Sequence, residues 1–496
     1  MAFNEEHVLE QLESFDAKAK VVTLQNLALA GTENALLVAD PMVKLFEDEE
    51  AEVRKQLCIT LGKLGPAMKD YVKDISDALK DEDMGVRAEA ARALGLIGRA
   101  GAGAQAAKVA ELAKDSPEDT QVAAVQALAA LGEAMRLGPF LQASKAPVIK
   151  IALVEVGRDE EACKKHAQLI MDRLSHTDTS VRLAAAEASG KVADSCTEAH
   201  IQALGKLRAT EKNPRVRKSA VLALGRVGTA GVPALLNFFQ DTDETVRHLA
   251  SETLGVQVGG SEAAEGAAGL LQDPNPMVRQ TALRALGKLG DDGLEQSAVI
   301  GASVINDTDL ASRLAAIQAL GELCASSEAE TLGSLTEDQH KGVRQAAVTA
   351  CSHMGAEGAV AAVLFLDDPH EAVRQAAIRV FSPLHSKMPA HFAFPHSEAI
   401  AQKLLDEDWR VRLAAVVCLG DLKASNHEEL TALCKDENEQ VRRSAVAALV
   451  KQEASAANVA AFLGDTDKGT RLEAERAYAL LGGGAAGDDG ELSEAD

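Results

Sequence analysis

Three histidines in one short stretch, His385, His391 and His396, are spaced six and five residues apart. Imidazoles at such intervals can ligate zinc. They stand in residues 382–398, where Pro383, Pro389 and Pro395 hold the backbone extended. Three readings are open for this insertion: a plain loop with incidental histidines, a metal loop, or a recognition loop carried by Phe392 and Phe394. Phe365, Phe381 and Trp409 are close by in sequence, and aromatic side chains are enriched at interface hot spots. This neighbourhood is therefore the first candidate contact surface. The second is a basic island, Lys206, Arg208, Lys212, Arg215, Arg217, Lys218 and Arg226, set against the single acid Glu211. Such a cluster is suited to steering an acidic partner or holding phosphate groups, or it is simply a solvated face. No aromatic side chain is interleaved for base stacking, which disfavours RNA.

Other patterns fall short of chemistry. The Asp-x-Asp pairs, such as Asp81/Asp83 and Asp241/Asp243, resemble the start of a calcium loop but lack the further oxygen ligands and the distant bidentate glutamate. Gly98-Arg99-Ala100-Gly101-Ala102-Gly103 has no strand before it to make a nucleotide-binding turn. No Ser-His-Asp, paired-carboxylate or Cys-His constellation follows from spacing. The expectation is a chain with no catalytic residue, no cofactor site and no metal site.

The elements that position all of these residues repeat. Asp81-Glu82-Asp83-Met84-Gly85-Val86-Arg87 runs on to Leu94-Gly95, and the same frame returns at Val246-Arg247 and at Val278-Arg279. Further copies centre on Val53-Arg54, Val181-Arg182, Val216-Arg217, Ser312-Arg313, Val343-Arg344, Val373-Arg374, Val411-Arg412, Val441-Arg442 and Thr470-Arg471. Degenerate copies are expected at Val22, Ala123 and Val148, where Thr23, Ala124 and Ile149 replace the arginine. That is about fifteen units with a mean period of roughly 32 residues, in the range of helical solenoids.

Each unit reads as two helices. In the second, Val86, Ala90, Ala93, Leu94 and Ile97 fall on one face, with alanine where a neighbour must come close. Asp or Asn three residues before the anchor valine is placed to cap that helix, as at Asp83, Asp178, Asn213, Asp243, Asn275, Asp309, Asp408, Asn438 and Asp467. Glycine pairs such as Gly98/Gly101, Gly228/Gly231, Gly290/Gly293 and Gly355/Gly358 fit a left-handed turn into the next unit. The anchor arginines Arg87, Arg182, Arg217, Arg247, Arg279, Arg313, Arg344, Arg374, Arg412, Arg442 and Arg471 recur in register with an acid five residues before most anchors. A structural ladder, each arginine pairing with the acid of its own or the neighbouring unit, is the expected role.

This frame resembles the HEAT repeat, in particular the short variety of phycobilin lyase subunits, over roughly residues 20–481. The resemblance implies an all-α solenoid of about fifteen tandem two-helix repeats, with second helices lining its concave side. Asp408-Trp409-Arg410-Val411-Arg412 also looks like the repeat junctions of phosphatase 2A scaffold subunits, whose repeats are longer. Di-iron hydroxylases of this architecture carry His-Glu directly after Val-Arg. Here His370-Glu371 and His427-Glu428 stand elsewhere and Val246-Arg247 is followed by His248-Leu249, so that enzyme is not expected.

Composition sets the remaining bounds. The 496 residues hold only 11 Phe, 2 Tyr and 1 Trp, which suits one quasi-linear alanine-rich core better than several globular ones. A net charge of −24 argues against nucleic acid or an anionic membrane as the main partner. Met1 to His7 show neither a basic start nor an apolar run, so no secretory signal is expected. Seven scattered cysteines with no Cys-x-x-Cys favour a reducing, cytoplasmic setting. The expected organisation is an acidic capping repeat over residues 1–50, a continuous solenoid over 51–481 and a flexible acidic tail over 482–496. The 25 residues between the anchors at 123 and 148 are expected to shorten one first helix. The expected function is a non-catalytic scaffold or adaptor for other proteins. The alternatives are a phycobilin lyase-type chromophore-handling subunit and a regulatory scaffold of a phosphatase.

Overall fold

The computed structural model describes residues 3–114, 116–192, 197–257, 260–382 and 394–483, and among them every regular element is a helix. The insertion from 383 to 393, with His385, His391 and Phe392, lies outside the described residues, as does the tail from 484. The chain forms two compact units, Met1–Ala250 and Ser251–Asp496. In the first, the second helices of successive repeats are α1 (Ala17–Ala30), α2 (Ala51–Leu64), α3 (Met84–Ile97), α4 (Glu118–Ala130), α5 (Ala146–Val156), α6 (Thr179–Ser189) and α7 (Pro214–Val227). Then come α8 (Glu244–Gln257), α9 (Pro276–Lys288), α10 (Leu310–Glu322), α11 (Lys341–Cys351), α12 (Glu371–Val380), α13 (Trp409–Leu422), α14 (Glu439–Lys451) and α15 (Lys468–Leu480). Most first helices are shorter and often end in a 3₁₀ turn, as in Val232–Leu236 followed by Asn237–Gln240, whereas Glu198–Thr210 runs for 13 residues.

The apolar stripe is buried as its spacing requires: Val86, Ala90, Ala93, Leu94 and Ile97 are each no more than 1% exposed. Alanine and glycine let the second helices approach. A Cβ on Gly62 would lie 3.0 Å from Ala93 Cα, and one on Gly255 only 2.8 Å from Ala285 Cα. All nine expected Asp/Asn caps hold, for example Asp83 accepting from Gly85 and Val86 and Asn438 from Gln440 and Val441. His370 is a cap that the frame does not announce, its Nδ1 accepting from the Ala372 N–H at 3.2 Å. The paired glycines divide their work. Gly228 and Gly290 have φ of 77° and 58°, whereas a Cβ on Gly231 or Gly293 would sit 2.4 and 2.2 Å from a carbonyl of the preceding helix.

Two degenerate units have a different register from the expected one. Asp16 caps α1 three residues before Ala19, and Lys20 occupies the arginine position, 2.7 Å from Asp48. Likewise Pro117 precedes α4 by the same interval, which places Thr120 and Gln121 at the anchor in place of Ala123 and Ala124. A Cβ on Gly95 would meet Ala127 Cα at 3.0 Å, the contact that Gly62 makes with Ala93 in the previous pair. With the anchor at Thr120, the tight spacing expected before Val148 disappears, and the first helix there consists of the turn Ala134–Arg136 and the four residues Gly138–Leu141.

Among the described residues Pro214–Gln240 has the length and apolar character of a membrane-crossing helix. Gly228, at a φ of 77°, breaks it into the second helix of one repeat and the first helix of the next, and half of its most apolar window is buried.

Candidate protein-binding face

The arginine ladder decides which residues hold the units together and which remain for function. Arg54 and the eleven later arginines of the frame all donate Nη1 to the carbonyl six residues earlier, in the loop that leads into their own helix. The other edge of the guanidinium reaches the acid of the following unit. Arg217 places Nε and Nη2 at 2.7 and 2.8 Å from the two oxygens of Asp241, and Arg279 places both at 2.7 Å from Asp307. Arg54–Asp81, Arg344–Asp368, Arg374–Asp406, Arg412–Asp436 and Arg442–Asp465 repeat this fork, and Arg182 grips Glu211 in the same way. Arg313 makes a looser rung, one contact of 3.2 Å to Asp338, with its Nε buried and unpartnered. The acid in turn accepts the N–H two residues on, as Asp241 does from Asp243 at 2.8 Å. Planar, bidentate geometry of this kind is specific to arginine.

Two junctions lose both halves of the rung together. Gln121 stands where an arginine would face the next unit, and Ala143 stands where the acid would be; Ile149 and His176 repeat the double loss. Removing one charge of a buried pair is costly, whereas removing both is nearly neutral.

Burial alone would raise the carboxyl groups of Asp81, Asp307, Asp406, Asp436 and Asp465, but the arginine fork and the loop N–H outweigh it and hold them below the usual range. The folded chain thus binds fewer protons at these positions than the unfolded chain, whose aspartates titrate near about 3.9. Their contribution is complete above that value and is lost as pH falls through the lowered folded values. Acid titration followed by far-UV circular dichroism is expected to show helix loss beginning below about pH 4, and later in variants where a rung is replaced on both sides by apolar residues.

The basic island separates in three dimensions. Arg217 and Glu211 belong to the ladder and are buried. Arg208 donates to the Gln240 carbonyl. Lys206 and Lys212 line an open hollow of about 780 Å³ with His176 and Arg182. Arg215 is exposed near the start of α7, and half-buried Lys218 lies beside Asp243, whose carboxyl is held low chiefly by its Thr245 hydrogen bonds. The aromatic neighbourhood also comes apart. Phe365 and Phe381 are fully buried and belong to the core. His396 packs against Phe381 with ring centroids 5.4 Å apart, and burial lowers its pKa. Phe394 opens the turn Phe394–His396. Trp409, at the start of α13, is half-buried beneath the Arg410 guanidinium, 5.2 Å from its ring centroid.

What faces outward is a row that spacing within one segment does not reveal. Ten residues after the anchor, at the C-terminal end of the second helix, stand exposed Leu29, Lys63, Leu96, Arg158, Lys191, Arg226, Lys288, Glu322 and Lys451, while His353 and Asp421 are half-buried there. Three successive units supply Arg158, Lys191 and Arg226. Together they rim a pocket of about 320 Å³, floored by Gly157, Gly190 and Ala188 and walled by Val154 and Leu222.

Nucleophiles and metal ligands are not gathered in this way. Among the described residues no group of three or more His, Cys, Asp or Glu is placed to hold a metal ion, and six cysteines are free. Burial pushes the thiols of Cys163 and Cys351 up to about 11 and about 12, so they are protonated at neutral pH and poor nucleophiles.

The family described as HEAT repeats matches residues 39–129, 135–225, 232–299, 298–382 and 391–483, and the PBS lyase HEAT-like repeat matches 216–241. No curated protein matches. The chain is similar in fold to a chain in a homology model of the full-length AP-3 complex in an intermediate open conformation. That likeness has a TM-score of 0.54 at 12% identity and covers 96% of this chain and 93% of that one. Kap121p bound to Ste12p, and Kap121p bound to the extreme C-terminus of the protein phosphatase Cdc14p, each give a TM-score of 0.48 at 13% identity. These likenesses cover 96% and 97% of this chain but only 65% and 66% of the Kap121p chains. With family matches over most of its length and the ladder joining its units, the chain belongs to the HEAT-repeat family.

Proposed function

We propose that the chain is a non-catalytic scaffold or adaptor that binds other proteins along the exposed row of its second helices. One observation carries the reading. Positions that touch neighbouring helices are filled alike from unit to unit, whereas the outward position ten residues on changes from Leu96 to Arg158, Lys191, Arg226 and Glu322. Tandem repeats supply area, and such varied positions write specificity onto it. The likeness to an AP-3 chain supports the fold on which the reading rests. A reducing, cytoplasmic setting belongs to the proposal, as the free cysteines suit it.

Affinity purification of the tagged chain from its source cell, with quantitative mass spectrometry, tests this. The reading expects a reproducible set of co-purifying proteins and is overturned if the bait alone is recovered. A second reading, chromophore handling, rests on the PBS lyase HEAT-like match at 216–241. Mixing the protein with a bilin separates the two, since that reading requires a change in visible absorbance.

A further inference from the structure

The row formed by Arg158, Lys191 and Arg226 has features that a merely solvated face does not require. Each cation stands at the same register position of a successive unit, in or just after the last turn of its second helix, where positive charge is favoured by the helix dipole. Arg226 lies across Gly190, where a Cβ would approach its Nη1 to 2.9 Å, so the small residue makes room for the guanidinium. Among the described residues no ion pair engages Lys191 or Arg226. Two acids accompany the row. Glu155 holds Arg158 at 2.7 Å from each oxygen, with the arginine 70% exposed, and Glu187 lines the pocket. An exposed pair such as Arg158–Glu155 is worth only about 0–1 kcal/mol and is readily exchanged for another carboxylate. The net character of the rim stays positive in a chain of charge −24.

Spacing identifies the ligand. Packed helices stand roughly 8–10 Å apart, so cations repeated once per unit recur at about that interval. An extended polyproline-II segment rises about 3.1 Å per residue with three residues per turn, which returns every third side chain to one face after roughly 9 Å. Val154 and Leu222, 36% and 47% exposed, offer apolar contact beside the cations, and the pocket between them has room for an apolar side chain.

We propose that this stripe binds an extended acidic segment of a partner protein. Carboxylates at every third residue face Arg158, Lys191 and Arg226, and an intervening apolar residue enters the pocket between Val154 and Leu222. The inference rests on the protein-binding reading and adds the chemistry and conformation of the bound segment.

The test is fluorescence anisotropy with the full chain and four labelled probes. These are a peptide with Glu at positions i, i+3 and i+6 and Leu between them, an isomer with the three Glu adjacent, a Gln analogue, and a short single-stranded RNA. The spaced peptide is expected to bind best. Its affinity should fall at least about tenfold in the triple variant R158Q/K191Q/R226Q and fall again on raising salt. K206Q/K212Q, whose lysines line the separate hollow, should bind as the wild type does. All three side chains of the stripe are exposed, and matching melting curves confirm that the triple variant folds. Equal binding of the adjacent-Glu isomer, tighter binding of RNA, or unchanged affinity in the triple variant overturns the proposal. If wild type and triple variant purify with the same proteins at equal yield, the stripe is wrong and the scaffold reading stands. If neither purifies with any protein, the scaffold reading itself fails.

Discussion

Arg217→Ala is expected to lower stability by about 3–5 kcal/mol, the cost of breaking a buried ion pair on one side. Arg217 and Asp241 are only 7% and 1% exposed. Removing the guanidinium leaves the Asp241 carboxylate without its counter-charge and frees two loop carbonyls, those of Glu211 and Lys212. Arg471 supplies the internal comparison. It makes the same carbonyl contacts, to Asp465 and Thr466, but sits in the last described unit with no ion pair of its own among the described residues. Arg471→Ala should therefore cost only about 1 kcal/mol, the net worth of ordinary hydrogen bonds. Arg217→Lys should recover little, since an ammonium cannot span both carboxylate oxygens and the carbonyls at once. Urea titration followed by circular dichroism reads these differences. Equal losses in Arg217→Ala and Arg471→Ala would show that the fork does not join the units.

Phe365→Ala is expected to cost a further large amount, about 3–5 kcal/mol, because a fully buried ring is replaced by a cavity between close-packed helices. Phe365→Leu keeps most of the volume and should cost less than about 1.5 kcal/mol. Trp409→Ala, at a half-buried site, should stay well below Phe365→Ala. Thermal unfolding of the three variants distinguishes a core phenylalanine from one that serves a partner. A stable Phe365→Ala protein that had lost only binding would place the ring in a contact surface after all.

The fold was readable because the same physical demand recurs in every unit. Val86, Ala90, Ala93 and Leu94 announce a helical face, and Asp83 announces where that helix begins. Register failed where the marker residue changed chemistry. Lys20 still reaches Asp48, and Gln121 still bonds a loop carbonyl, that of Ala113, but neither spells Val-Arg. The ladder was legible as a pairing of acids and bases, while its direction was not. Only the stacking of α7 beside the loop at Asp241 shows that the carboxylate comes from the following unit. The candidate site was least legible. Lys206 and Arg226 are close in sequence yet stand on different helices, whereas Arg158, Lys191 and Arg226 are far apart in sequence yet occupy one register position. Counting ten residues on from each anchor is the signal that finds them. Phe365 and Phe381 mislead for the same reason, since nearness along the chain says nothing about which face a side chain takes.

Lysine-directed cross-linking of the chain in extract of its source cell tests most directly whether the second helices are the working surface. The outward lysines Lys63, Lys191 and Lys288 report on it. The account predicts cross-links from these lysines to other polypeptides, strongest at Lys191 within the basic stripe. Cross-links confined to this chain, or intermolecular ones arising only from first-helix lysines such as Lys73 and Lys206, would contradict it.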